Sequence, residues 1–162
     1  MKNTSIRQTN SAENIVNTYG NMLFRLCLIT LGNANDAEDA VQETFIRYLQ
    51  KAPYFDCAEY EKAWLITVAT NKCKDILRFR NRHTFVNIDD INEYTTNDDD
   101  HEIMDALMEI PDKFRLVLVL YYVEGYSINE ISKIIKKTPS AVKMRLQKGR
   151  RILRESYGKE HI

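Results

Sequence analysis

With 162 residues, 44% of them hydrophobic and 28% charged, the chain is long enough for one domain or two small ones and too apolar for global disorder. Its formal net charge of zero conceals a segregation: residues 1–83 carry 11 Lys/Arg against 9 Asp/Glu, residues 84–105 carry none against 8, and residues 106–162 carry 12 against 6. That course from basic through acidic to strongly basic points to nucleic-acid contact, while the longest apolar stretch, Leu116 to Val123, falls far short of the roughly 18 residues of a membrane span.

Apolar residues Ile15, Tyr19, Met22, Leu26 and Ile29 recur every three or four positions and predict a helix that ends at Leu31, with Gly32 as its stop. A second helix is predicted from near Asn35, where Asn35 and Glu38 have capping-box spacing, to the residues before Pro53. Its inward face is expected to be Val41, Phe45, Tyr48 and Ala52. The other side gathers Asp39, Gln42, Glu43 and Ile46, and an apolar residue among acids suggests a surface that docks on another protein. A third helix is predicted over 58–80, with Trp64 in the core. Residues 84–102 then break the pattern with scattered apolar residues, no helical period and three consecutive aspartates, and they read as a flexible acidic linker. Helix returns around 103–108, and Pro111 is placed to open another that ends at Gly125. No strand of convincing length interrupts these helices.

Two short helices follow. Ser127 and Glu130 have the S-x-x-E spacing of a capping box, and Ile128, Ile131, Ile134 and Ile135 supply a buried stripe. Thr138 can cap the next helix, with Pro139 at its first position, where a missing N–H costs nothing. Two such helices across a tight turn make a helix-turn-helix. On the second, Val142, Leu146, Gly149 and Leu153 share one face, and Lys143, Met144, Gln147, Lys148, Arg151 and Arg154 fall broadly opposite. Between 136 and 154 there are eight Lys/Arg and no acid, which suits phosphates and base edges in a major groove. Ser140, Lys143, Met144 and Gln147, nearest the helix N-terminus, are expected to reach bases, and Lys148 and Arg151 to anchor the backbone.

Little points to chemistry. Cys27, Cys57 and Cys73 lack the paired spacing of a metal site and read as free thiols of a reducing cytoplasm. The polar start MKNTSIRQTNSAEN has no apolar centre of a secretory leader. His83, His101 and His161 are scattered, and the aspartates at 98–100 lack the scaffold of metal-assisted catalysis. No enzymatic activity, metal or cofactor is expected.

The stretch DAEDAVQETFIRYL resembles the core-polymerase-binding motif of bacterial RNA polymerase sigma factors of the extracytoplasmic-function group, within the sigma-70 family. AWLITVATNKCKDILRFRNR is similar to the segment that follows it there, with a Trp-Leu pair and the spacing of Asn71 and Asp75 ahead of a basic run. IPDKFRLVLVLYYVEGYSINEISKIIKKTPSAVKMRLQKGRRIL resembles that family's C-terminal promoter-reading domain. The three occur in the family's order and cover most of residues 12–157.

The resemblance implies an all-α protein of two small helical domains joined by a flexible acidic linker: residues 1–83, a linker over 84–103, and a helix-turn-helix domain over 104–162. It implies that Asp39, Gln42, Glu43 and Ile46 bind core RNA polymerase. Phe55, Asp56, Tyr60, Asn71, Lys74, Arg78 and Arg82 are expected to engage and help melt the minus-ten element, with Asp75 pairing Arg78 to orient it. Ser140, Lys143, Met144, Gln147, Lys148 and Arg151 are expected to read the minus-35 element. Partners implied are core polymerase, promoter DNA that is both double-stranded and locally melted, and, as for many relatives, an anti-sigma factor; the implied location is the cytoplasm, with no membrane insertion. The basic run RFRNRH departs from the nearly unbroken arginines of many relatives, and Lys143, Met144 and Gln147 stand at positions that vary with promoter sequence in the family, so the role carries over but no promoter sequence does. A helix-turn-helix regulator with a helical sensor domain is the alternative; it would bind its operator without polymerase.

Overall fold

The computed structural model describes residues 4–80 and 98–161; Arg82 and the acidic linker as far as residue 97 lie outside the described residues. Helix α1 spans Thr4–Leu31, beginning well before the periodic stretch that announces it. It stops where expected, because Gly32 adopts a φ of 69° and its N–H returns to the Leu28 carbonyl at 2.7 Å. Helix α2 spans Ala34–Lys51 and is capped by Asn33, whose side chain accepts from the Asp36 amide at 2.9 Å. The cap therefore lies two residues ahead of Asn35, which sits inside the first turn. Ala52 leaves α2 in extended conformation, as the residue before a proline does. Helix α3 spans Ala58–Arg80.

The seam of α2 differs from its expected inward face. Ala37, Ala40 and Thr44 are its fully buried residues, while Val41, Phe45 and Tyr48 are half-buried around them. Small side chains let α2 lie close against α1 and α3, so the larger ones flank the contact. Thr44 satisfies its buried hydroxyl by donating to the Ala40 carbonyl at 2.7 Å. From α1 the core takes Leu23, Leu26, Cys27 and Leu31, and from α3 Leu65, Ile66, Ala69 and Cys73.

The second unit holds α4 (Asp98–Glu109), α5 (Asp112–Leu118), a single π-helical turn over Val119–Val123, α6 (Ile128–Ile135) and α7 (Pro139–His161). Helix α4 begins five residues earlier than its apolar pattern suggested; acids are favoured at a helix N-terminus, so the aspartate run opens a helix. Pro111 precedes α5 as expected, but the helix widens into the π turn before Gly125, at φ 74°, ends it. The capping box of Ser127 and Glu130 forms in both directions, each at 3.1 Å. Helix α7 packs on α4, α5 and α6 and buries Val142 and Leu146. Among the described residues every regular element is helical.

The two units touch. Helix α3 lies against α6, α1 meets α4 and α5, and the buried side chains of both units form one continuous cluster. Two arginines complete α1's exposed carbonyl end. Arg80 donates to Leu31 O at 2.5 Å and pairs with Asp36; Arg115, 1% exposed, donates to Thr30 O at 2.5 Å, to Ile110 O at 3.0 Å and to Asp112 at 2.7 Å. Cations suit the negative end of a helix dipole, and here one comes from each unit.

Candidate nucleic-acid and protein interfaces

The first surface lies on α2. Asp39 and Gln42 are exposed, Glu43 is half-exposed, and Ile46 keeps 47% of its surface in solvent. Spaced at three or four residues, they form one helical face. Glu43 meets Arg47 at 3.8 Å, an exposed pair that adds little stability and leaves the acid accessible. Burial of Ala37, Ala40 and Thr44 on the opposite side fixes this face outward.

The second surface runs from the loop before α3 along that helix. In the loop, Phe55 is half-buried against Tyr48 and Trp64, with ring centroids 6.4 and 6.0 Å away, so its ring helps fix the loop. Tyr48 also donates to Glu61 at 3.0 Å. Asp56 is exposed, and Tyr60 presents 64% of its surface at the start of α3. Tyr54, 74% exposed beside Phe55, is a further accessible aromatic that the sequence reading passed over; its signal was a tyrosine directly after the proline that ends α2. Farther along, Asn71 is half-exposed and Arg78 exposed, with Asp75 at 3.7 Å from Arg78 as its spacing suggested.

Lys74 is different. Its Nζ donates to the Ile135 carbonyl at 2.9 Å, at the end of α6 in the other unit. Burial first, then Arg145, Lys137, Arg78 and Lys136, holds its pKa below the usual lysine value. Lys74 thus meets the end of α6, with the charges of Arg145, Lys137, Arg78 and Lys136 near enough to act on it. Lys136, Lys137 and Arg145 join the basic site through tertiary packing alone; local spacing could not have placed them near Lys74.

The third surface is the outward face of α7. Ser140, Lys143, Gln147, Lys148 and Arg151 are exposed, and Met144 is 53% exposed among them. The Ala141 amide donates to the Thr138 hydroxyl at 3.1 Å, which fixes where the helix begins. Lys136, at the C-cap of α6 with φ 58°, makes the sharp turn between the two helices. Lys148 also stands 5.9 Å from the Phe114 ring centre, and Arg150 donates to the Tyr122 hydroxyl at 3.0 Å. Among the described residues no His, Cys, Asp and Glu gather as a metal site, and no helix is long and apolar enough to cross a membrane.

Residues 15–83 match the family described as Sigma-70 region 2, and residues 100–153 match Sigma-70, region 4. The chain is 29% identical over 160 residues to the ECF RNA polymerase sigma factor SigW of Bacillus subtilis, covering 87% of this chain and 86% of that protein. It is 34% identical over 143 residues to the ECF RNA polymerase sigma factor SigL of Mycobacterium tuberculosis, covering 82% and 81%. The fold is shared with a sigma factor from Bartonella quintana, RpoE, solved in complex with the anti-sigma factor NepR. That match has a TM-score of 0.70 at 21% identity over 88% of this chain and 94% of that one.

Proposed function

The chain belongs to the sigma-70 family of bacterial RNA polymerase sigma factors, in its extracytoplasmic-function group, and from that premise we propose how its residues share the work. Sigma factors are non-enzymatic initiation factors: this one binds core polymerase, brings it to a promoter and helps open the DNA. Asp39, Gln42, Glu43 and Ile46 form the core-binding face. Asp56, Tyr60, Asn71, Lys74 and Arg78 engage the minus-ten element, and the family resemblance assigns Arg82 to the same element. Tyr60 is an exposed ring on which an unpaired base regains stacking, and Phe55 holds the loop that leads into its helix. Ser140, Lys143, Met144 and Gln147 face bases of the minus-35 element, and Lys148 and Arg151 its phosphates. The N-terminal domain is 1–83, the linker expected over 84–103 gives way at Asp98 to α4 of the C-terminal domain, the site of action is the cytoplasm, and an anti-sigma factor is a partner of the class bound to the Bartonella relative.

One observation carries this reading: a single chain presents an exposed acidic-apolar face on a region 2 match and an exposed basic helix on a region 4 match. The test is run-off transcription with bacterial core polymerase, paired with a core-association assay. The wild type should associate with core and start transcripts at a defined position. The double change D39A/Q42A should weaken association at least about tenfold, since charge-assisted contacts contribute about 1.5–3 kcal/mol each. Tight, specific DNA binding without core, together with no core association, would instead identify a regulator.

A further inference from the structure

Helix α7 is braced on both flanks by aromatic rings, one from α5 and one from the π turn that continues it. On one flank Lys148 Nζ stands 5.9 Å from the centre of the half-buried Phe114 ring. On the other, Arg150 Nη1 donates to the Tyr122 hydroxyl at 3.0 Å. Tyr122 is 57% exposed, so this bond forms at the surface and not in the core. It sits within the π turn, where the Glu124 N–H donates to the Val119 carbonyl at 3.1 Å. Widening a helix in this way changes the direction in which its side chains leave the axis.

Arg150 stands outside the residues so far assigned to minus-35 DNA. We propose that Arg150 is a further phosphate contact, held in place by Tyr122 as a positioning residue, and that Arg150 and Lys148 grip opposite strands of the duplex. The proposal rests on the reading of α7 as the helix that enters the major groove. Its base-facing residues are Ser140, Lys143, Met144 and Gln147. At about 3.6 residues per turn, Lys148 lies about 90° to one side of their mean direction and Arg150 about 70° to the other. A helix with its side chains is about 10–12 Å across, and the major groove is about 12 Å wide. Side chains that leave the helix sideways therefore meet the groove's walls, which are the phosphates of the two strands. The Tyr122 hydroxyl occupies one N–H donor of the guanidinium and leaves the others for phosphate oxygens. A long cationic side chain loses rotamer freedom when it binds, and a partner that already holds it in the free protein lessens that loss.

The test uses the full chain, free or bound to core polymerase, and a duplex that it selects from a random-sequence pool. Arg150→Ala should lower the slope of log affinity against log salt by about 0.9, the value for one phosphate. At about 0.1 M salt that is a loss of about eightfold, the factor such a slope yields over one decade below about 1 M. Tyr122→Phe keeps the ring and every charge; it should weaken binding about threefold and leave the urea midpoint unchanged. In the Arg150→Ala background it should cost nothing more. Neutral methylphosphonates placed one at a time locate the contacts: Arg150→Ala should lose its effect at a position on one strand, and Lys148→Ala at a position on the other. Arg150→Gln serves if circular dichroism shows the alanine variant unfolded. An unchanged slope without Arg150, a Tyr122→Phe loss that persists in its absence, or both cations mapped to one strand would each overturn the proposal. Failure to select any duplex in either form would overturn the reading of α7 and the proposal with it. Core association is scored separately: its absence in a chain that shows the two-strand pattern would refute the sigma-factor reading alone.

Discussion

Arg151 shows how a single side chain can be tested apart from its neighbours. It is exposed on the outward face of α7, whereas Arg150 beside it donates to Tyr122 and Arg145 lies in the cluster around Lys74. If Arg151 neutralises one phosphate, Arg151→Ala should weaken binding by the same factor on every sequence. It should also flatten the slope of log affinity against log salt by about 1. Titrating a minus-35 duplex at several salt concentrations measures this, and an unchanged slope would remove Arg151 from the phosphate contacts. At this scale the sequence was legible where partners are local. The Asp75–Arg78 pair follows from a spacing of three, and the Ser127–Glu130 box from a spacing of three. The partner of Lys74 lies 61 residues away on a backbone carbonyl, which no side-chain pattern encodes.

At the scale of elements, α7 depends on a close approach. A Cβ built on Gly149 would lie 2.9 Å from Leu118 Cδ1 and 3.1 Å from its Cγ, and Leu118 is itself buried. Glycine is thus present for contact with α5, despite the roughly 1 kcal/mol by which it disfavours a helix relative to alanine. Gly149→Val should destabilise the protein by about 1–3 kcal/mol through overpacking, read as a lower urea midpoint. The same change lifts the recognition helix and should weaken minus-35 binding although no DNA-facing residue is altered. Periodicity found every described helix and placed Gly149 on the packing face of α7. It placed Val41, Phe45 and Tyr48 against the core but passed over the fully buried Ala37, Ala40 and Thr44, because hydrophobic size alone cannot tell a core-filling residue from one that flanks a close helix contact. It also missed the π turn at 119–123, since a hydrophobic run carries no signature of the wider hydrogen-bond step.

At the scale of the molecule, Tyr126 reports on how the two units are held. Burial first, then Glu124, Glu130 and Tyr19, pushes its pKa up to about 12. The native chain therefore favours the neutral phenol, and the unfolded chain ionises near the ordinary value of about 10. Stability from this group is fully present below about pH 10 and is lost as pH rises through about 12. Tyr126→Phe should accordingly lose less stability than wild type between pH 10 and 12, measured by denaturant unfolding across that window. Equal losses would show that the phenol ionises alike in both states.

By itself the sequence determined the helical class, the order of the helices, the helix-turn-helix with its caps, and which faces of α2 and α7 turn outward. Each of these depends on residues within about one or two turns of one another, where 3.6-residue periodicity and capping chemistry act. The tertiary structure alone decided that Arg115 closes the end of α1, that Lys62 pairs with Glu124, and that the α3 track lies against the helix-turn-helix unit. Those contacts join residues 61 to 85 positions apart, and their strength comes from burial and from which carbonyls a packed helix end leaves open. Such conditions exist only once the chain has folded.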